Sequence, residues 1–252
     1  MASLHVMAPA GIPRVREGDD LAGQILSALG ASAERLVADD VVVIAQKIVS
    51  KAEGRCVALA SVRPSAQALE LAERCGRDPR LVELILGEST AVVRATPGVI
   101  IVEHRLGLVL ANAGVDQSNI DPAEPSALLL PRDPDASARR IRQALVQATG
   151  AEVAVVIIDS IGRAWRNGTI GTAIGIAGAP GLVDLRRQPD LYGRPLQSTE
   201  LGWADEVAAA ASLVMGQAGE GRPVAIVRGA PYPRREGSMR ELLRSRDLDL
   251  FR

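Results

Sequence analysis

The sequence predicts a mixed-sheet α/β or α+β fold rather than a purely doubly wound one. Three observations carry this. The runs Val41 to Ala45, Val153 to Ile158 and Val224 to Val227 are apolar throughout, as strands covered on both faces are. Segments of helical periodicity alternate with them. Two further apolar runs, Val99 to Glu103 and Leu108 to Ala111, are joined by only four residues, so a hairpin and its antiparallel pair interrupt the alternation.

In chain order, Met1 to Pro13 reads as a short strand and a loop. Gly18-Asp-Asp20 supplies N-cap chemistry for a helix with Leu21, Ala22, Ile25, Leu26 and Leu29 on its apolar face and Gly30 at its end. The strand from Val41 runs into Gln46-Lys-Ile-Val-Ser-Lys-Ala-Glu-Gly54. A helical turn there projects Lys47 and Lys51 from one side. The pair reads either as a solvated face or as a phosphate-facing pair at a strand end, where α/β folds bind ligands. Ser65 to Cys75 is a helix after Pro64. Asp78-Pro79 opens the next, with Leu81, Leu84 and Ile85 inward and Gly87 closing it. His104 falls at the hairpin turn and is expected to be exposed and non-catalytic.

Ala111 to Asn119 leaves the hairpin's second strand and gathers Asp116, Gln117, Ser118 and Asn119 before a proline-marked segment (Asp121, Pro122, Pro125). Asp133-Pro134 opens the clearest helix, with Ala138, Ile141, Leu145 and Ala148 on one face and Gly150 at its end. Arg139, Arg140 and Arg142 read as its solvated face. The run from Val153 ends at Asp159-Ser160. Beyond it, Arg163 and Arg166 flank Trp165, either to bind an anionic or planar ligand or with the ring as a packing anchor. Gly168, Gly171, Gly175 and Gly178 do not make a GxGxxG fingerprint and read as tight turns or close backbone approach. Pro189 to Thr199 is a loop. Trp203 to Met215 is an alanine-rich helix whose Asp205 and Glu206 complement the helix dipole, closed by Gly216 and followed by a loop to Gly221. Ser238-Met-Arg-Glu241 is a capping box that predicts a C-terminal helix.

Composition removes several classes of function. With 29 basic against 30 acidic residues there is no basic field for nucleic acid, and 2% aromatics leave no base-stacking platform. Two cysteines without a CxxC unit and only two histidines argue against structural zinc and suit a reducing compartment. The first residues lack a signal-peptide pattern, and no apolar run approaches the roughly 18 residues of a membrane span, so a cytoplasmic protein without a membrane partner is expected. There is no P-loop, HExxH, GxSxG or kinase motif set.

What remains is Asp116 and Asp159 at two strand ends, hydroxyl and amide groups beside them, and the separated basic residues Lys47, Lys51, Arg163 and Arg166. Hard carboxylate oxygens favour Mg²⁺ or Mn²⁺, which complete their shells with water and phosphate oxygens. The residues alone therefore read as metal-assisted phosphoryl chemistry on a nucleotide, with ordinary turns and helix caps as the plain alternative.

At these same residues the chain resembles a known family. The segments GIPRVREGDDL, VVVIAQKIVSKAEGR, DPRLVELILGES, ANAGVDQSN, LLLPRDPDASARRIR, DSIGRAWRNG and AAASLVMGQ, in that order from about Gly11 to Gly229, are similar to the coenzyme F420-0:L-glutamate ligase family (F420-0:gamma-glutamyl ligases). The stand-alone form is the one resembled; the C-terminal nitroreductase-like domain of the two-domain version is not expected here. The resemblance implies a distinctive α/β fold, neither P-loop nor Rossmann, in a single unit over 1–252 or two interleaved lobes, forming a homodimer. It implies a GTP-dependent ligase that adds L-glutamate to F420-0, first by an amide and then by γ-glutamyl linkages, through an acyl phosphate. Mg²⁺ or Mn²⁺ and a monovalent cation such as K⁺ are implied as cofactors. Carried onto this chain, Asp116, Asp159 and Ser160 are the metal ligands, Ser160 standing where the family usually has Thr. Asn119 contacts the nucleotide, and Ile12, Pro13, Arg14, Val15, Gln46, Lys47 and Lys51 line the GTP site, with Lys51 nearest the phosphates. Met215, Gly216 and Gln217 open a loop that adds guanine contacts. Gln117 and Ser118 receive no role beyond shaping the turn. Ile161, Ala164 and Thr169 depart from the family's usual Phe, Pro and Gln, which touches acceptor identity and chain-length control. A phosphohydrolase or other phosphoryl transferase using the same aspartates, and a non-enzymatic GTP-binding protein, are the alternatives.

Overall fold

The structure is a computed structural model that describes residues 2–119 and 125–249, so Asp121 and Pro122 lie outside the described residues. In chain order the elements are β1 (His5–Met7), α1 (Leu21–Ala31), β2 (Val41–Ala45), α2 (Gln46–Ala52), β3 (Cys56–Ala58), α3 (Ala66–Cys75), α4 (Pro79–Gly87), β4 (Ser89–Thr96), β5 (Val99–His104), β6 (Val109–Ala111), β7 (Ser126–Leu128), α5 (Pro134–Thr149), β8 (Ala154–Arg163), β9 (Arg166–Ala177), β10 (Val183–Asp184), β11 (Glu200–Leu201), α6 (Trp203–Met215) and β12 (Val224–Arg228). The central sheet has the order β1-β12-β2-β8-β9, and β2–β8 is its parallel pair. A three-stranded antiparallel sheet, β4-β5-β6, and two two-stranded ones complete the mixed architecture.

The apolar runs become the middle of the central sheet because both of its faces are covered. Val41 to Ile44 and Ala154 to Ile157 have no solvent exposure. The helices begin where the caps place them: Asp20, Ser65, Asp78 and Asp133 each accept a backbone N–H of the following turn. Gly76 and Gly150 end α3 and α5 in the left-handed conformation.

Several expectations are corrected. The glycine-rich stretch is mostly a strand, β9, in which Gly171 and Gly175 take the close-approach reading rather than the tight-turn one and admit neighbouring backbones. A Cβ on Gly175 would lie 2.5 Å from the Pro134 carbonyl oxygen of α5, and one on Gly171 would collide with the Ala208 carbonyl of α6. A bulge separates them, since Ile157 pairs with Gly175 but Ile158 with Ala173. Strand β4 has no clean alternation because two register shifts interrupt its pairing with β5. His104 is buried, not exposed: its Nδ1 accepts the Leu106 N–H at 3.0 Å, and its Nε2 lies 3.5 Å from Glu88 Oε2. Arg140 and Arg142 are not merely solvated but pair with Glu53 and Glu152. Asp205 does more than face the dipole, accepting the Ala173 N–H of β9 at 2.9 Å. Trp165 is 87% exposed on the tip between β8 and β9, so it is no packing anchor. The capping box at Ser238 starts only a 3₁₀ turn, Met239–Leu242.

Candidate active site

The parallel register of β2 and β8 sets Ala45, the end of β2, beside Ile158 in the middle of β8. Gln46 and Lys47 follow β2, whereas Asp159 and Ser160 are not at a strand end as expected but lie within β8, paired with Thr172 and Gly171 of β9. Asp116 arrives from the antiparallel sheet through the 3₁₀ turn Asn112–Gly114. Asn112 and Ala113 have φ of 53° and 54°, and the Asn112 side chain accepts the Ile100 N–H, which bends the chain toward the central sheet. Two backbone hydrogen bonds with Leu128, at 3.0 and 2.8 Å, then fix Asp116.

Lys47 joins the two halves. Its Nζ lies 2.5 Å from Asp116 Oδ2 and donates to Ser118 Oγ at 2.5 Å. The Ser118 N–H and hydroxyl donate to Asp116 at 2.8 Å each. One turn on, Lys51 Nζ donates to the backbone carbonyl of Asn119 at 2.6 Å. Gln46 is nearly inaccessible, and its side-chain oxygen accepts from Ser50 at 2.9 Å. The Ser160 hydroxyl donates to the side-chain oxygen of Gln217. Lys47, Asp116, Ser118, Asp159, Ser160 and Gln217 line one cavity of about 350 Å³, with Thr169, Ile161 and Gly162 on its β8–β9 wall.

The charges there are unevenly balanced. Burial opposes ionisation of Asp116, yet hydrogen bonds from Lys47 and Ser118 outweigh it and hold the carboxyl below its ordinary range. Asp159 goes the other way. Burial pushes its carboxyl up, and the Asp116 charge adds to this, against hydrogen bonds from Ser160 and Gln46 and the charge of Lys47. The Lys51 ammonium is pushed down by burial first, then by the cations Lys47 and Arg14. Arg14 thus belongs electrostatically with Lys51.

Of the residues singled out from sequence, Asp116, Asp159, Ser160, Gln46, Lys47 and Gln217 come together, with Lys51, Asn119 and Arg14 adjoining. Ile12, Val15 and Met215 do not reach the cavity: Val15 and Met215 are buried in the main core and Ile12 packs against it. Pro13 is exposed. Gly216 ends α6, its N–H donating to the Ser212 carbonyl. Ser118 had no assigned role and is the link between Lys47 and Asp116; no sequence signal separates it from an ordinary turn serine. Of the wall residues, Ile161 and Thr169 are marked by their departures from the family's usual Phe and Gln, while Gly162 carries no signal, because it enters through the β8–β9 pairing.

Two carboxylates, a hydroxyl and an amide oxygen in one cavity form a hard donor set that fits Mg²⁺ or Mn²⁺. Among the described residues no three His, Cys, Asp or Glu side chains cluster as a metal site, so water or ligand oxygens would complete the shell. The arrangement suits binding of a phosphorylated ligand and stabilisation of charge on a transferring phosphoryl group.

The family model for F420-0:Gamma-glutamyl ligase matches residues 11–229. The chain is 51% identical over 251 residues to the Coenzyme F420:L-glutamate ligase of Methanothermobacter thermautotrophicus, covering 99% of each chain. It is 47% identical to the protein of the same description from Methanopyrus kandleri, over 95% of this chain and 94% of that one. To the one from Archaeoglobus fulgidus it is 41% identical, over 99% and 96% respectively. With a family match across most of its length and relatives this similar over nearly the whole of both chains, the chain belongs to the F420-0:gamma-glutamyl ligase family.

Proposed function

We propose that the protein is a GTP- and divalent-metal-dependent ligase that joins L-glutamate to F420-0, first by an amide and then by γ-glutamyl linkages. Family membership supports the reaction class. The observation that carries the reading is the single cavity holding Asp116, Asp159 and Ser160 beside the cationic group of Lys47, Lys51 and Arg14.

In this reading a carboxylate oxygen of the acceptor attacks the γ-phosphorus of GTP, giving an acyl phosphate and GDP. The amine of glutamate then attacks the acyl carbon, loses a proton and displaces phosphate. Lys51 and Arg14 hold the phosphates. Lys47 tethers Asp116, and Gln217 orients the Ser160 hydroxyl. Asp116, Asp159 and Ser160 would hold Mg²⁺ or Mn²⁺, which would supply charge neutralisation at the phosphoryl oxygens. A monovalent cation such as K⁺ and a homodimeric state complete the proposal. Glutamate itself requires no side chain of special pKa.

The test combines GTP, Mn²⁺, L-glutamate and F420-0, with and without K⁺, and reads products by mass. Glutamate-dependent GDP release with products heavier by glutamyl units supports the ligase. GTP loss that ignores glutamate makes the protein a phosphohydrolase, and binding without turnover makes it a non-enzymatic GTP-binding protein. A monomer mass by light scattering overturns the dimer. A cytoplasmic location is part of the proposal; among the described residues no helix is long and apolar enough to cross a membrane.

A further inference from the structure

A second polar cavity, of about 470 Å³, lies where the start of α5 meets the turn after β5 and the 3₁₀ turn at Met239. It shares no lining residue with the cavity of Asp116 and Asp159. Arg105, Arg132, Arg139 and Arg240 line it, against two carboxylates, Asp133 and Asp135.

Those carboxylates are already engaged with the fold. Asp133 Oδ1 accepts the Ala136 N–H at 2.9 Å as the helix cap. Asp135 Oδ1 accepts the N–H groups of Ile176 and Met239 at 2.8 and 3.1 Å, and its Oδ2 accepts the Ser238 hydroxyl at 2.7 Å. Neither lies within ion-pairing distance of an arginine among the described residues. On the same helix Arg140 and Arg142 each hold a glutamate, whereas Arg139 has no carboxylate partner among the described residues, and neither do Arg132 and Arg240. Arg105 is half-committed, its Nε to Glu88 and one Nη to the Arg132 carbonyl. Four guanidinium groups therefore converge on one concavity with an excess of positive charge, over an apolar floor of Leu106, Pro134 and Met239. Planar guanidinium forks match oxyanions in pairs and bind carboxylate or phosphate bidentately.

We infer that this cavity is a binding site for a multiply charged oxyanion, with clustered carboxylate or phosphate groups, separate from the ligase site. The inference does not rest on the proposed reaction, and its test needs no turnover.

Isothermal titration of the full chain decides it. Two probes are used separately, a γ-linked triglutamate for carboxylates and inorganic pyrophosphate for phosphates. Both proteins compared carry Lys51→Ala, which is expected to weaken anion binding beside the other cavity, and one adds Arg132→Ala, Arg139→Ala and Arg240→Ala. These three side chains make no hydrogen bond or ion pair with described residues, so the fold is expected to persist, with the thermal midpoint as control. Binding of at least one probe, weakened about tenfold or more by the arginine substitutions, supports the site, and the probe that binds assigns its chemistry. Triglutamate alone marks a carboxylate chain, pyrophosphate alone a phosphate group, and both a general oxyanion site. Failure of both probes to bind, or an affinity unchanged by the triple substitution, overturns it.

Discussion

Two clusters of buried charge stand at opposite extremes of neutralisation. At the junction of α4 and the antiparallel sheet, Glu88 meets Arg55 at 2.8 Å, Arg105 at 3.0 Å and His104 at 3.5 Å. Burial works against its ionisation, but His104, Arg55 and Arg105 overcome this and hold the carboxyl at about 2. There one carboxylate faces two guanidinium groups, and the Arg55 Nε is further bound to the Leu130 carbonyl. In the candidate active site two carboxylates share one ammonium, Lys47, and Asp159 is pushed up rather than down. In the structural cluster the carboxylate's charge is met, and exceeded, by cations of the fold itself. A binding site leaves part of the balance to what it binds. The comparison separates the two kinds of cluster without reference to any family.

The largest effect should come from removing charge at the under-neutralised cluster. Asp159→Asn or Asp116→Asn is expected to lower glutamate-dependent GDP release by about 10²- to 10³-fold or more. The Asp159→Asn thermal midpoint should stay at or near wild type, because Asp159 gains little from being charged in the fold, whereas Asp116→Asn gives up the ion pair with Lys47 and should lower it. Wild-type turnover in either variant would remove the shared metal from the proposal. At the balanced cluster the outcome should invert. Glu88→Gln leaves Arg55 and Arg105 facing no charge and is expected to cost about 3 kcal/mol of stability in urea titrations. Turnover per folded molecule should be unchanged. A Glu88→Gln protein as stable as wild type would show that the cluster's attraction merely offsets its desolvation.

Acid sharpens the same contrast. The Glu88 pKa is about 2 in the fold against an ordinary 4.5, so its stabilisation is complete above 4.5 and disappears as pH falls through 2. The full difference is about 3 kcal/mol. Wild type should therefore lose stability between pH 5 and pH 2 more steeply than Glu88→Gln, measured by urea midpoints at each pH. Parallel curves for the two proteins would mean that Glu88 is not the titrating group.

How far these clusters were legible in the sequence follows from their chemistry. Asp116 and Asp159 stand out in the sequence because apolar runs give way to polar residues near them, although β8 continues through Asp159 to Arg163 and Asp116 lies beyond the 3₁₀ turn after β6; every helix start marked by Asp or Ser is cappable by rule. Lys47 and Lys51 stood out by spacing. The partners were not readable. Ser118 finds Lys47 across 71 residues, and Ser160 finds Gln217 across 57, distances over which no local pattern extends. The Glu88 cluster was missed altogether, and His104 was read as exposed. A hairpin turn is normally solvated, whereas here α4 packs against β4 and the Glu88 at its end reaches His104. Strand β9 was hidden by glycines that propensity discounts, although it is two packed helices that require them.

The smallest expected effect lies at the edge of the unbalanced site. Lys51 has burial and two neighbouring cations against its charge, and among the described residues its ammonium meets only the Asn119 carbonyl. A lysine held this way gains most from an incoming polyanion, which supplies the missing counter-charge. Lys51→Ala should weaken GTP affinity by about tenfold, read by equilibrium binding in the presence of Mn²⁺. Lys51→Arg should recover part of it, since the charge returns with a different fork. Neither change should lower the thermal midpoint, because the lysine is not a partner the fold depends on. GTP affinity untouched by Lys51→Ala would place the phosphates elsewhere and leave Lys51 as a clasp on the Asn119 turn. A fall in stability with unchanged affinity would move Lys51 to the balanced kind of cluster that Glu88 represents.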